Sequence, residues 1–583
     1  MFVPLTKMPL NPNGKVDKPA LPFPDTFQIA EAGKYKPKAN GELNGKVLSS
    51  TETKMREIWR SIIPRIPSTV GVEENFFDLG GHSILATRLT LEIRRQFQVD
   101  VPLGLIFKEP TIEGLSREID RIGFGGPDAK QNINSAPVKD DYSKDALILK
   151  DSLANSYPSA PDLKSMSKVS VFVTGVTGFL GSFILSDLFH RKGPNVHVFA
   201  HVRAADKKQG LQRIISACKA YGVWNQDWEN KITVVTGDLG KERLGIQSEQ
   251  WSVLENSVDS IIHNGAMVHW VYPYSKLRAA NVESVMECLK LCEKGKPKSL
   301  VLISSTSVLD SDFYVQKAAK MVKEGAAGLS EEDDLSGSAK YLTTGYGQSK
   351  WTAEYLVREA GKRGLRGAVI RPSYIVGDSK TGSSNLDDYI IRLFKGCIQL
   401  GSSPSIKNTM NTVPVDHVAR IVTAVMYNLK PTGVAVYQVD GSPRMRFDEI
   451  LGLLPEYGYK VSETSYQSWV KALEDQVVES QSNALFPLLH FVSDDLPHNS
   501  MSPELDDSNT QASLTADSEI TSEEWAHKQG ITPEIIGLYL AYLVAVRYIE
   551  PPQKGAKLQI PTLELSDEVL DQLKAVGGRG QKK

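Results

Sequence analysis

The sequence predicts a multidomain protein in which a small α-helical bundle is followed by a larger α/β domain built on a parallel sheet. Three observations predict it. Residues 45–124 contain short stretches with apolar residues three and four apart and no strand pattern. From about 165 to 570, short β-type runs alternate with helical patterns. The first of those runs leads directly into a glycine-rich turn and an apolar helix.

The chain has 583 residues, enough for two to four domains. Lys plus Arg (67) nearly balances Asp plus Glu (69), so there is no basic field to gather nucleic acid or an anionic membrane surface. Small molecules and proteins are the expected partners. Four cysteines are too few for a disulfide framework and suit a reducing compartment, so a cytoplasmic protein is expected. Cys288 and Cys292 lie four apart without further ligands at metal-binding spacing, so they are read as core residues and no metal site is expected. The N-terminus lacks a basic region followed by a sufficient apolar run, so it is not read as a signal peptide. The longest apolar stretch, Ile535 to Val546, is too short to span a bilayer. Thr532 and Pro533 suit the N-cap and N1 positions of a buried helix there.

The elements follow in chain order. Residues 1–25 are rich in Pro and Asn and lack periodicity. In the bundle, Ser49 and Glu52 form a capping-box pattern, and Met55, Ile58, Trp59 and Ile62 make one apolar stripe. A second helix is expected after Ser83, with Leu85, Leu89, Ile93 and Phe97 each four apart, and a third over Ile112 to Ile122. Residues 125–160, rich in Gly, Pro, Asn, Ser and Asp, read as a linker. Residues 161–583 form the α/β domain. Its core is expected over about 168–375 and 411–440, with a smaller substrate-side part over about 376–410 and 441–575. The polar stretch Pro497 to Thr521 reads as a loop.

Between the first two helices of the bundle lies Asp78-Leu79-Gly80-Gly81-His82-Ser83. The glycines permit a tight turn that leaves Ser83 at a helix N-terminus, where free N–H groups and the helix dipole favour a phosphodiester. A bare serine N-cap is the plainer alternative. The wider string NFFDLGGHSILATRL resembles the attachment site of acyl and peptidyl carrier proteins. That resemblance implies a phosphopantetheine arm on Ser83, installed by a phosphopantetheinyl transferase, with His82 a surface neighbour.

In the α/β domain, Val169 to Val173 runs into Thr174-Gly175-Val176-Thr177-Gly178-Phe179-Leu180-Gly181 and a helix. Strand, glycine turn and helix are the context of a dinucleotide fingerprint. The next strand ends at Arg203, where an NAD-binding fold usually carries an acid; arginine suits a 2′-phosphate and hence NADPH. Arg213 is either a second phosphate ligand or a solvated helix residue. Tyr346 and Lys350 are four apart and share one helix face, so phenol and ammonium can both point at a cofactor. Upstream, the strand Leu300 to Ile303 ends in Ser304-Ser305-Thr306-Ser307.

The GxxGxxG spacing, the YxxxK pair and the serine-rich strand end resemble extended short-chain dehydrogenases with a Rossmann-type core. The resemblance implies that Asp238 and Leu239 touch the adenine and that Asn264, Gly265 and Ala266 run under the cofactor. It also implies that Tyr346 is the acid, that Lys350 tunes it and contacts the ribose, and that a hydroxyl from the strand end orients the substrate. Register favours Thr306 for that hydroxyl, with Ser305 as runner-up. Asn281, Arg371 to Ser373 and Val413 to Val418 match family positions with structural roles.

A carrier followed by such a reductase resembles the ends of carboxylate reductases and nonribosomal peptide synthetases. VFVTGVTGFLGSFIL, IIHNGAMVHWVYPYSKLR, TTGYGQSKW and LFPLLHFVSDDLP are closer still to the fungal α-aminoadipate reductases of lysine biosynthesis. This implies a tethered L-2-aminoadipyl thioester released as its 6-semialdehyde. Leu10 to Lys18 resembles the last motif of an adenylation domain, with Lys15 as its carboxylate-activating lysine. The rest of that domain is missing from the sequence, so an upstream adenylation domain is the expected partner. Arg392 and Lys395 are candidate contacts for the acyl group or else solvated helix charges. Three rival readings are a four-electron reductase that forms an alcohol, a nucleotide-sugar epimerase or dehydratase, and a carrier scaffold with an inactive reductase fold.

Overall fold

A computed structural model describes residues 48–63, 70–81, 83–97, 109–124, 141–269, 272–480, 483–493, 496–521 and 529–563, with isolated positions between and after them. Residues 1–25 with Lys15, as well as His82, lie outside the described residues. The chain divides into two compact units, 1–136 and 137–583.

The described residues of the first unit include the helices α1 (Ser50–Ile62), α2 (Ser83–Phe97) and α3 (Ile112–Phe124). The capping box is present: Ser49 Oγ accepts from the Glu52 N–H at 3.0 Å, and the Ser49 N–H donates to Glu52 Oε2 at 2.8 Å. The stripe on α1 is buried against Leu89 and Ile93 of α2 and Ile112, Leu115 and Ile119 of α3. Trp59 meets Phe76 edge-on at 5.1 Å. Phe76 also dictates the glycine before α2. A Cβ on Gly81 would stand 2.3 Å from its ring. Gly80, at φ +97°, makes the turn.

The second unit begins earlier than composition suggests. Helix α4 (Tyr142–Lys150) lies in the stretch read as a linker, and buries Tyr142 and Ala146. Tyr142 packs edge-on against Trp351 at 5.4 Å, and Arg363 Nη1 donates to the Leu153 carbonyl at 2.8 Å. The stretch from 141 to 160 is therefore part of the α/β unit, bound to it by residues two hundred positions away.

The sheet has seven strands: β1 (Lys168–Thr174), β2 (Asn195–Val202), β3 (Ile232–Thr236), β4 (Ser260–His263), β5 (Ser299–Ile303), β6 (Gly367–Pro372) and β7 (Val434–Val439). Their order is β7-β6-β5-β4-β1-β2-β3, and every pairing is parallel. Val171 pairs with Val198 on one side and with Ser260 on the other. Because alternate residues point to opposite faces, Val171 and Val173 enter one apolar cluster and Phe172 the other. Helices α5 (Phe179–His190), α6 (Lys207–Ala220), α7 (Gly345–Lys362) and α8 (Val415–Tyr427) follow or cover these strands.

The part expected on the substrate side contains the helices Tyr389–Leu400, Phe447–Glu456 and Tyr466–Ser480 and short paired strands. The stretch read as a polar loop is instead helix α9 (Ser508–Thr521), which returns to the sheet. Beside Leu514, its inward residues are polar but paired. Thr510 Oγ1 donates to the Gln438 carbonyl at 2.7 Å, and Asp517 accepts from Arg420 at 2.5 Å and also from Arg191. Helix α10 (Pro533–Ala545) has Thr532 as N-cap and Pro533 as its first residue, and is largely buried. Among the described residues no helix is long and apolar enough to cross a membrane.

Candidate active site

Chain order reverses between β1 and β4, the place where doubly wound sheets open a crevice beyond their carboxyl ends. The glycine turn lies there. Gly175 adopts φ +72°, and a Cβ on it would meet Asn264 Nδ2 and the Gly265 backbone at 2.8 Å. Gly181 is packed against Gly175 so closely that a Cβ would stand 2.1 Å from its carbonyl oxygen. Thr177 lies in the turn, and Gly178 is the exposed N-cap of α5 with no side chain capping the first-turn N–H groups. Uncapped N–H groups, the dipole end and glycines at both ends of the turn fit a pyrophosphate. Phe179 and Leu180 face inward instead: Phe179 packs on Tyr221 at 4.9 Å, and Leu180 is buried.

The second turn of the site follows β4. Asn264 Nδ2 donates to the Gly175 carbonyl at 3.2 Å, and the Gly265 N–H donates to Thr174 Oγ1 at 2.8 Å. These bonds hold Asn264 to Ala266 beside the glycine turn. Asp238 is fixed by its N–H to the Leu244 carbonyl at 2.7 Å, and Leu239 packs toward Gly265. Arg203 is exposed at the end of β2, and Arg213 Nη1 donates to the Arg203 carbonyl. Both guanidinium groups thus lie at one strand end, a fit for a 2′-phosphate.

The catalytic candidates converge from β5 and α7. Lys350 is buried and donates to the Ile303 carbonyl at 2.7 Å; its ammonium lies 5.9 Å from the Tyr346 ring centre. Burial lowers Lys350 to about 8 and raises Tyr346 to about 12. At neutral pH the phenol therefore holds its proton, and the ammonium does not overcome its desolvation. The hydroxyl bonded to Tyr346 is that of Ser305, not Thr306. Ser305 continues the strand (φ −163°, ψ 153°), whereas Thr306 opens the 3₁₀ turn Thr306–Leu309 that carries it away. Ser305, the runner-up by register, is thus the hydroxyl beside the Tyr346 phenol.

Asn281 braces the site from behind. It sits in a π-turn, Ala279–Glu283, accepts from the Met267 N–H at 2.7 Å, and donates to the Met267 carbonyl and to Ser349 Oγ, each at 3.0 Å. Arg371 forms a buried ion pair with Glu354, and Asp416 accepts from the Ser379 hydroxyl at 2.7 Å, so both motifs are structural here. Arg392 and Lys395 are not solvated charges. Arg392 binds Asp387 and the Ala484 carbonyl, and the Lys395 ammonium lies 4.1 Å from the Tyr548 ring centre.

In the first unit, Ser83 is the opening residue of α2, directly after the Gly80–Gly81 turn. The position suits a phosphodiester for the reason given by the sequence.

Comparison with known proteins agrees with this division. Residues 53–119 match the family described as "Phosphopantetheine attachment site", and residues 173–422 the one described as "Male sterility protein". L-2-aminoadipate reductase of Schizosaccharomyces pombe is 48% identical over 100% of this chain, which covers 41% of that protein. The chain thus spans about two fifths of the length of the curated relatives it matches. Among solved structures, the terminal R domain of the myxalamid PKS-NRPS pathway superposes with TM-score 0.61 at 28% identity, over 70% of this chain and 100% of that one. A thiolation-reductase di-domain from an archaeal non-ribosomal peptide synthetase shares the fold, with TM-score 0.64 at 20% identity over 86% of this chain and 98% of that one. With a domain of the phosphopantetheine-attachment family followed by a Rossmann-like reductase domain, the chain is similar along its whole length to about two fifths of the L-2-aminoadipate reductases.

Proposed function

We propose that this chain holds an acyl group as a thioester on a phosphopantetheine arm at Ser83 and releases it reductively as an aldehyde. The observation that carries the reading is the placement of Tyr346, Ser305 and Lys350 at the β5 end of a cofactor cleft, in a chain that also contains a carrier domain. The substrate is L-2-aminoadipyl thioester and the product its 6-semialdehyde; full-length relatedness to L-2-aminoadipate reductases supports this choice.

The residues that would hold NADPH are Gly175, Thr177, Gly178 and Gly181 at the pyrophosphate, Arg203 and Arg213 at the 2′-phosphate, Asp238 and Leu239 at the adenine, and Asn264 to Ala266 beneath it. Phe179 and Leu180 support the turn from within. When bound, NADPH supplies a hydride. Ser305 and Tyr346 hold the thioester carbonyl oxygen as it gains negative charge. Tyr346 gives up its proton, and Lys350, fixed by the Ile303 carbonyl, keeps a positive charge beside the resulting phenolate. One hydride and one proton are added, the C–S bond breaks, and aldehyde and thiol result. Charging of the arm is assigned to an adenylation domain upstream, and the reaction to the cytoplasm.

The test is a chain loaded at Ser83 with aminoadipyl-phosphopantetheine and given NADPH. One NADPH is consumed per semialdehyde released. Tyr346→Phe binds NADPH but loses most turnover. Absence of NADPH oxidation in the wild type, release of an alcohol, or full activity in Tyr346→Phe would each overturn the reading.

A further inference from the structure

Two consecutive residues with side chains, Arg243 (φ 49°, ψ 32°) and Leu244 (φ 55°, ψ 24°), adopt left-handed backbone, and Gly245 at φ +69° completes the turn. That conformation is unfavourable for L-residues and holds where neighbours enforce it. Three neighbours do. The Arg243 N–H donates to Glu287 Oε2 at 2.8 Å, the Leu244 side chain is fully buried, and the Leu244 carbonyl accepts from His201 Nε2 at 3.0 Å. The same carbonyl accepts from the Asp238 N–H at 2.7 Å, and a Cβ on Gly245 would stand 2.7 Å from the Asp238 nitrogen. The turn is thus pressed against Gly237-Asp238-Leu239. That segment joins the end of β2 to the loop after β4: the Gly237 N–H donates to the carbonyl of Val202, one residue before Arg203, at 3.1 Å, and Leu239 packs against Gly265.

We infer that Glu287 is a positioning residue for the adenine end of NADPH: its carboxylate holds the Arg243–Gly245 turn in its left-handed form, and the Leu244 carbonyl thereby fixes Asp238. Glu287 is buried, and its other oxygen accepts from Lys290 Nζ at 2.7 Å, so the carboxylate keeps one orientation and a counter-charge. A charged acceptor binds an N–H more strongly than a neutral one, which suits a backbone that must be held against strain. Glu287 lies on the helix Ser284–Glu293, which continues directly from the π-turn of Asn281. Asn281 fixes the catalytic end of the cleft and Glu287 the adenine end, so one continuous run of helix sets both. Relaxation of the turn would withdraw the Leu244 carbonyl from Asp238, and a shift of about 1 Å in a binding group is enough to weaken a ligand.

This inference rests on the NADPH reading, and the test separates the two. Dissociation constants are measured for NADPH and for 2′,5′-ADP, which carries the adenine end alone, together with kcat for thioester reduction at saturating NADPH. Glu287→Ala is expected to weaken both ligands by about tenfold or more, with kcat within about twofold of the wild type. Glu287→Gln keeps an oxygen for the Arg243 N–H and stays within about threefold. Arg243→Gly added to Glu287→Ala relieves the left-handed strain and restores binding to within about threefold. Arg243→Val strains the same turn from an exposed position and weakens 2′,5′-ADP about tenfold, which decides the matter if Glu287→Ala does not fold. Wild-type affinity for 2′,5′-ADP in Arg243→Val, no rescue by Arg243→Gly, or a loss of kcat with 2′,5′-ADP binding unchanged overturns the role of Glu287 alone. A wild type that binds no 2′,5′-ADP overturns the cofactor reading and the inference with it.

Discussion

Replacing Gly181 by alanine tests whether the turn before α5 is built to carry a cofactor. The new Cβ would stand 2.1 Å from the Gly175 carbonyl oxygen and 2.9 Å from the Gly175 carbon and Val176 Cα. All three are backbone atoms, so no side chain can swing aside. Ordinary contact begins near 3.4 Å, so the helix and the turn must separate by about 1.3 Å. Forced overpacking of this kind costs about 1–3 kcal/mol. Moving a binding group by about 1 Å costs on the order of a hundredfold. Gly178 is the control, because its Cβ would lie 3.3 Å from the same oxygen. We expect Gly181→Ala to lower the melting temperature of the cofactor-free protein by several degrees and to weaken NADPH binding about a hundredfold, measured by fluorescence titration. Gly178→Ala leaves cofactor-free melting within about two degrees of the wild type. Wild-type melting and NADPH affinity in Gly181→Ala, or earlier melting in Gly178→Ala than in Gly181→Ala, would refute the reasoning.

Three further outcomes are expected. Arg203→Ala weakens NADPH binding by roughly ten- to a hundredfold and changes NADH affinity less than about twofold, since only the phosphate loses a charged donor; equal losses for both cofactors would count against a 2′-phosphate site. Ser305→Ala lowers the turnover number by about a hundredfold or more, whereas Thr306→Val stays within about fivefold; single-turnover aldehyde release from a loaded carrier separates them, and the reverse order would return the role to Thr306. Lys350 is lowered to about 8 and so is charged below that pH and neutral above it, while Tyr346, at about 12, keeps its proton throughout. Thioester reduction should therefore fall about tenfold per pH unit above about 8, and a flat profile to pH 9.5 would contradict the assignment.

The parts of this architecture that sequence could deliver are those with local periodicity. The stripe Met55–Ile62 announces α1, and the strand–turn–helix context announces the glycine turn, because spacing alone determines which face a residue occupies. Helix α9 escaped because, beside Leu514, the residues on its buried face, Thr510, Ser513 and Asp517, are polar, and the partners Gln438, Arg191 and Arg420 are remote in sequence. Helix α4 escaped for a related reason. It lies in a stretch with the composition of a linker, and Trp351, Tyr274 and the backbone at Ser338 and Leu342, all remote in sequence, make Tyr142 a core residue. The choice between Ser305 and Thr306 turned on where the strand ends, a matter of one residue's φ and ψ, which composition does not encode.

The catalytic helix shows why its flanking motifs belong to the site without doing chemistry. Tyr346, Lys350 and Glu354 lie four residues apart and so share a face of α7. Each meets the end of β5: Tyr346 at the Ser305 hydroxyl, Lys350 at the Ile303 carbonyl, Glu354 at Ser304 Oγ, 3.1 Å away. Three polar contacts at helical spacing permit one register of helix on strand; a slip by one residue would break all three. Glu354 is fully buried, and so is its partner Arg371 on β6. Such a pair contributes little net stability, because removing both charges from water offsets most of their attraction. What it supplies is position: it ties α7 to a second strand one turn beyond the reacting groups. Behind the site, Asn281 holds Ser349, between Tyr346 and Lys350, and through Met267 the loop after β4. The π-turn that contains Asn281 is thus part of the same device. Phenol and ammonium are held because their helix is fixed to two strands and one loop, so the motifs around Asn281 and Arg371 set the geometry of Tyr346 and Lys350.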